Sequence, residues 1–150
     1  MLFRSSACAE VIGFERGHTP EGQPVLLDGD ASVHVVAAAA TEAVGMAAHY
    51  RLRQHLDRVI EQRAVAPRGL IIANGQCGVA LEERQREIEE ALRVAAESTR
   101  YAVLTAPVLY RAALAALGGA SAETLAAIRA RIATTDGIVT LDDLLPPAGA

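Results

Sequence analysis

A run of four apolar residues, Leu70-Ile-Ile-Ala73, constrains the fold of this chain more than any other stretch. It has no polar alternation and is bounded by Gly69 on one side and Asn74-Gly75 on the other. β-Branched side chains lose χ1 freedom in a helix and pack well on a pleated surface, so the run predicts a strand buried on both faces. Amphipathic segments at 46–63 and 81–98 flank it and predict helices that cover those two faces. The apolar stripe of the first segment holds Leu52, Leu56, Val59 and Ile60.

Turn signals and shorter apolar runs predict the remaining elements of one domain over residues 1–150. Asp28-Gly29-Asp30 turns an antiparallel hairpin, and Gly13 ends a short first helix. The loop Asn74-Gly-Gln-Cys-Gly78 follows the central strand. We expect helices at 5–12, 105–118 and 121–132, strands at 24–27, 33–40, 101–104 and 138–140, a connector at 65–68, and a flexible tail at 145–150.

The composition excludes several kinds of chemistry. All 14 basic residues are Arg, so Schiff-base and P-loop lysine mechanisms cannot come from this chain. The net charge of −4 and the absence of Trp argue against a global field or stacking platform for nucleic acid. Two cysteines, Cys8 and Cys77, fit a reducing compartment. We see no secretory signal and no membrane span, and expect a cytoplasmic protein.

Several segments resemble the restriction-endonuclease-like fold of the PD-(D/E)xK nuclease superfamily. Ala9-Glu-Val-Ile-Gly-Phe14 is similar to the first helix of that family running into "LGF", and Arg68-Gly-Leu-Ile-Ile-Ala-Asn74 to a "KGLLIGN" core strand. Glu82-Glu-Arg84 resembles "PEER", and Val103 to Tyr110 resembles "LLTTxDLY". The resemblance covers about residues 7–140. It implies an α/β fold with a restriction-endonuclease-like mixed sheet and helices on both faces.

The catalytic positions that the resemblance implies do not hold catalytic residues. Active members carry an Asp near the first hairpin strand and a Glu-x-Lys on the second, which hold a divalent metal and assist the attacking water. The corresponding positions here are Pro24, Val36 and Ala38. Gln54 matches a helical Gln that many members place beside the site. We therefore expect an inactive nuclease with no cofactor and no bound metal.

Other candidate residues have simpler interpretations. His34, His49 and His55 do not share one helical face, so we interpret them as surface or partly buried histidines instead of zinc ligands. Cys77 lacks an identifiable base. The arginines of residues 46–63 alternate with acids and predict a solvated face. As ligand or partner contacts we select Arg51, Gln54, Asn74, Gln76 and Arg84.

Three hypotheses for function follow. The first is a catalytically inactive nuclease-like domain that serves as a protein-interaction or regulatory module. The second is a nucleic-acid-binding domain that does not cleave. The third is a small-ligand site at the loop 74–78, where open α/β sheets often bind ligands. The segment 112–117 is apolar nearly all round, which also predicts a homodimer.

Overall fold

The computed structural model describes residues 2–63 and 67–146. Its elements begin with a helix and a three-stranded meander, continue with alternating helices and strands, and end with two successive helices and a short strand. They are α1 (Leu2–Val11), β1 (Glu15–His18), β2 (Pro24–Asp28), β3 (Ala31–Ala39), α2 (Met46–Arg63), β4 (Arg68–Asn74), α3 (Glu90–Thr99), β5 (Ala102–Thr105), α4 (Ala106–Leu117), α5 (Ala122–Thr134) and β6 (Gly137–Ile138). A short 3₁₀ turn lies at Leu81–Glu83.

The described strands form one six-stranded mixed sheet in the order β1-β2-β3-β4-β5-β6. The strands β1, β2 and β3 pair antiparallel, and those from β3 to β6 pair parallel. The hairpin between β2 and β3 turns at Gly29, whose φ of +60° favours glycine. A parallel connection needs a long crossover, which α2 supplies between β3 and β4 and α3 supplies between β4 and β5.

Successive residues of β4 point to opposite faces of the sheet, as the buried-strand prediction requires. Leu70 and Ile72 join a core with α1, α4 and α5 on one face. Ile71 and Ala73 join a second core with α2 and α3 on the other face. Ile71 is fully buried and Ile72 is 3% exposed, so the prediction of a buried central strand is confirmed.

The helix predicted over 81–98 is wrong in its first half. The structure has the short 3₁₀ turn and then an extended segment, and α3 starts only at Glu90. Two interactions with distant residues favour this extended conformation. The backbone N–H groups of Gln85 and Arg86 donate to Gln76 Oε1 at 2.8 and 3.0 Å, and Ile88 bridges to Val44.

Smaller differences concern the ends of the chain. Strand β1 was not predicted, because Glu15-Arg-Gly-His18 has no apolar alternation. Leu145, assigned to the tail, is buried, and its N–H donates to the Leu141 carbonyl. Ile60 is 40% exposed and lies beside the α2 stripe, not within it. Residues 147–150 of the predicted tail and 65–66 of the predicted connector lie outside the described residues.

Arg68 fixes the start of β4 to the ends of two helices. Its guanidinium donates to the carbonyl oxygens of Ala133, Thr135 and Arg100, and pairs with Asp136 at 2.8 Å. These bonds satisfy carbonyl groups at and just beyond the carboxyl ends of α5 and α3, where a helix leaves its acceptors unpaired. The Arg at the head of the "KGLLIGN"-like segment therefore has a structural role.

Candidate functional site

The hairpin opens at the position where β2 begins. Val25 pairs with His34, and the pairing of β3 with β2 does not extend past that residue. The strand β3 itself continues to Ala39, paired with β4 on its other side. Residues 35–39 of β3, which we call the open edge, therefore face no strand on the β2 side among the described residues.

Pro24 explains why the pairing stops there. Asp28 and Ala31 close a two-residue turn, so hydrogen-bonded pairs fall at every second position, at 28 with 31 and 26 with 33. Continued by two residues, this register would place Pro24 opposite Val35. Proline has no N–H and cannot donate to the Val35 carbonyl. The same alternation points the backbone groups of Ala37 and Ala39 away from β4.

A cleft of about 340 Å³ follows the open edge. Arg51 reaches it from the second turn of α2, and its Nη1 donates to the Ala37 carbonyl oxygen over a long 3.4 Å. The lining residues are Gln23, Pro24, Val35, Val36, Ala37, Ala39 and Arg51. The fold thus brings together Pro24, Val36 and Arg51, three residues that the sequence singled out separately.

Val36 and Ala38 lie on the face of β3 that α2 covers. Val36 is 6% exposed, and Ala38 packs against the same core cluster. A charged side chain at either position would lose solvation without gaining a partner. These two positions are therefore part of the hydrophobic core, and Gln54 is an exposed residue outside the lining of the cleft.

The predicted contacts after β4 form a separate network at the carboxyl edge of the sheet. Arg84 donates to Asn74 Oδ1 at 2.6 Å and to the Val79 carbonyl at 2.9 Å. Gln76 accepts from two backbone N–H groups of the extended segment and adopts a left-handed φ of +50°. These three side chains hold the loop 74–78 against residues 84–89, and whether they also contact a ligand stays a prediction.

His34 and His55, which we predicted to be at the surface or partly buried, are both buried and pack against each other between β3 and α2. His34 Nδ1 and His55 Nε2 are 3.2 Å apart. A third, His49, lies 2.7 Å from the Tyr101 hydroxyl, and burial raises the pKa of that hydroxyl to about 12. A smaller cleft of about 110 Å³ lies beside His34. No group of three possible metal ligands occurs among the described residues.

The buried histidine pair predicts an acid-sensitive stability. Burial lowers the pKa of His55 from its ordinary value of 6.5, Glu21 opposes the shift, and Arg58 adds to it. The unfolded chain therefore takes up this proton at a higher pH than the folded chain. We expect the free energy of unfolding to be constant above about pH 7 and to decline as the pH falls through about 6.5 towards 5.

Urea unfolding at a series of pH values measures this decline. His55→Gln should make the decline shallower, because the glutamine does not titrate; burial also lowers the pKa of His49, which accounts for the decline that remains. His18→Gln replaces an exposed histidine and should leave the profile of the unmodified protein unchanged. An unmodified protein whose stability rises between pH 7 and pH 5 would contradict the assignment.

Comparisons with known proteins add no relative. Family models, curated proteins and solved structures all give no match to this chain. None of the described helices is both long enough and apolar enough to span a bilayer. The fold and its site define an α/β protein with a six-stranded mixed sheet and an open strand edge.

Proposed function

We propose that this chain is a catalytically inactive domain of the restriction-endonuclease-like type that serves as a protein-interaction module. The order of α1, the meander, α2, β4 and the later helices supports this proposal, as do the segments that resemble the nuclease superfamily. Its free cysteines, Cys8 and Cys77, accord with a cytoplasmic location.

The burial of Val36 carries the proposal. Metal-assisted hydrolysis needs carboxylates that converge on an ion. At the implied positions the chain has a proline, a buried valine and an alanine that packs against the core. The two acids of the hairpin turn do not provide the missing ligands: Asp28 pairs with Arg129 at 3.1 Å, and Asp30 is exposed in the turn. What is left at the cleft is a strand edge with apolar side chains, together with one glutamine and one arginine, a surface better suited to a protein than to a metal ion.

The first test of the proposal is an assay for cleavage. Pure protein is incubated with supercoiled plasmid, single-stranded DNA and RNA in the presence of Mg²⁺ or Mn²⁺. We expect all three substrates to remain intact. Metal-dependent cleavage that disappears in Asp30→Ala would contradict the proposal and would make the hairpin turn a displaced active site.

The outer face of α4 favours self-association, and we propose a homodimer through it. The helix buries Leu109, Ala112 and Ala113 in the core, while Leu114 and Leu117 are 49% and 73% exposed on the described surface.

Light scattering at micromolar concentration should give the mass of a dimer. Leu117→Glu would place a charge in the contact and should give a monomer, whereas Val94→Glu, an exposed position of α3, should not. A monomeric mass for the unmodified protein would contradict the dimer.

A further inference from the structure

The backbone of the open edge presents hydrogen-bonding groups that the sheet does not use. The N–H and C=O groups of Ala37 and Ala39 point to the β2 side, as does the Val35 carbonyl that Pro24 cannot pair. Val35 and Val36 are buried, but Ala37 is half-buried and Ala39 is exposed. Unpaired strand edges of this kind are templates for another chain.

Among the described residues, the backbone hydrogen bonds of the neighbouring loop form within the loop and do not reach this edge. Residues 19–23 fold back on themselves, because the Thr19 N–H donates to the Gln23 carbonyl and the Gln23 N–H donates to Thr19 Oγ1. The one described side chain that bonds to the edge is Arg51, over the 3.4 Å to the Ala37 carbonyl. A bond that long is weak, and an incoming N–H could replace it.

The charge at the cleft selects the kind of partner. Arg51 is the one charged residue in the lining, and no carboxylate of the described residues forms an ion pair with it. Arg53, two residues later, is already paired with Asp57 at 3.2 Å. An arginine at the rim of a strand edge complements an acidic side chain or a terminal carboxylate.

We propose that the open edge binds an extended acidic peptide segment of a partner protein as an added strand. The peptide runs antiparallel to β3 in line with β2, exchanges backbone hydrogen bonds with Ala37 and Ala39, and places a carboxylate on Arg51. This inference rests on the proposed function and names the partner of the same cleft. Because Pro24 lies opposite Val35 in this register, about four peptide residues cover the rest of the edge, at 36–39.

The test uses random linear peptides about ten residues long, displayed in a library and selected on the immobilised full chain. We expect the enriched peptides to carry Asp or Glu within a β-branched run. Binding of a synthetic copy should slow the hydrogen exchange of the Ala37 and Ala39 amides, followed by NMR. It should leave the exchange of amides in α5 unchanged.

Two N-methylated copies of the selected peptide distinguish strand addition from side-chain docking. Methyl groups on the alternate nitrogens that face β3 should weaken binding by about tenfold or more, because they remove donors and clash with the edge. Methyl groups on the intervening nitrogens should leave the affinity unchanged. Equal effects of the two copies would overturn the inference.

Variants of this chain test the same contacts without changing the peptide. Ala39→Pro removes one edge N–H, and Arg51→Glu reverses the charge; each should weaken binding by about tenfold. Arg58→Glu, an exposed change on the same helix outside the cleft, is the matched control and should bind normally. If Ala39→Pro does not fold, Arg51→Glu and the methylated peptides still test strand addition.

Other outcomes separate this inference from the proposed function. Selected peptides that instead shift the NMR signals of Leu114 and Leu117 on α4 would overturn strand addition. They would still agree with the proposed protein-interaction function. Failure to enrich any peptide would overturn strand addition. If short oligo-deoxythymidine then shifts the Ala37 and Arg51 signals at low salt, the proposed protein-interaction function would also be overturned.

Discussion

The variant Ile72→Asp is expected to lose about 4 kcal/mol or more of its free energy of unfolding, a large part of the stability of an ordinary domain. Ile72 is 3% exposed and packs in the core between the sheet and α1, α4 and α5. An aspartate there would be an unpaired charge without water, and removing the isoleucine would also leave a cavity.

Ile60→Asp is the control, because the same change is made at a position that is 40% exposed in α2. It should cost no more than about 1 kcal/mol, mostly from helix propensity. Urea unfolding followed by circular dichroism compares the two variants. If Ile72→Asp kept the midpoint of the unmodified protein, the central position of β4 would be wrong.

The second large effect is expected from Gly75→Ala, immediately after β4. A methyl group on Gly75 would overlap the carbonyl oxygen of Glu87 and lie 2.7 Å from the Cα of Glu87. Both are backbone atoms, so they cannot swing aside as the end of a side chain can. We expect a loss of about 2–3 kcal/mol and disruption of the extended segment 84–89.

Gly78→Ala makes the same change three residues later in the same loop, where a methyl group would meet nothing within 4 Å. This variant should stay within about 0.5 kcal/mol of the unmodified protein. Thermal unfolding of both proteins provides the comparison. Equal melting temperatures for the two variants would contradict the close approach of Glu87 to the loop.

The elements that the sequence predicted well are those whose apolar pattern is local. Helix α2 runs over Met46–Arg63 as predicted, because its stripe repeats without interruption. The predicted start of α3 was wrong because the composition of residues 84–89 is compatible with a helix. It is held extended by Gln76 and Val44, which are distant in sequence, and local propensity does not contain those contacts.

The candidate site was predictable in its side chains and not in its backbone. The resemblance named Pro24 and Val36, and the fold places both in one cleft with Arg51. The exposed backbone of Ala37 and Ala39 was missed, since alanine carries no chemical signal. One indication was available: the second hairpin strand was predicted longer than the first, which starts with a proline that cannot continue the ladder.

Titration with Mn²⁺, followed by NMR, is the most direct test of the proposal that this domain lacks the metal site of a nuclease. The paramagnetic ion broadens the amide signals of residues near any site that it occupies. We expect uniform, weak broadening and no selective loss at Val25, Val36 or Ala38. Selective, saturable loss of these signals, reversed by Mg²⁺ and absent in Asp30→Ala, would contradict the inactive-nuclease proposal.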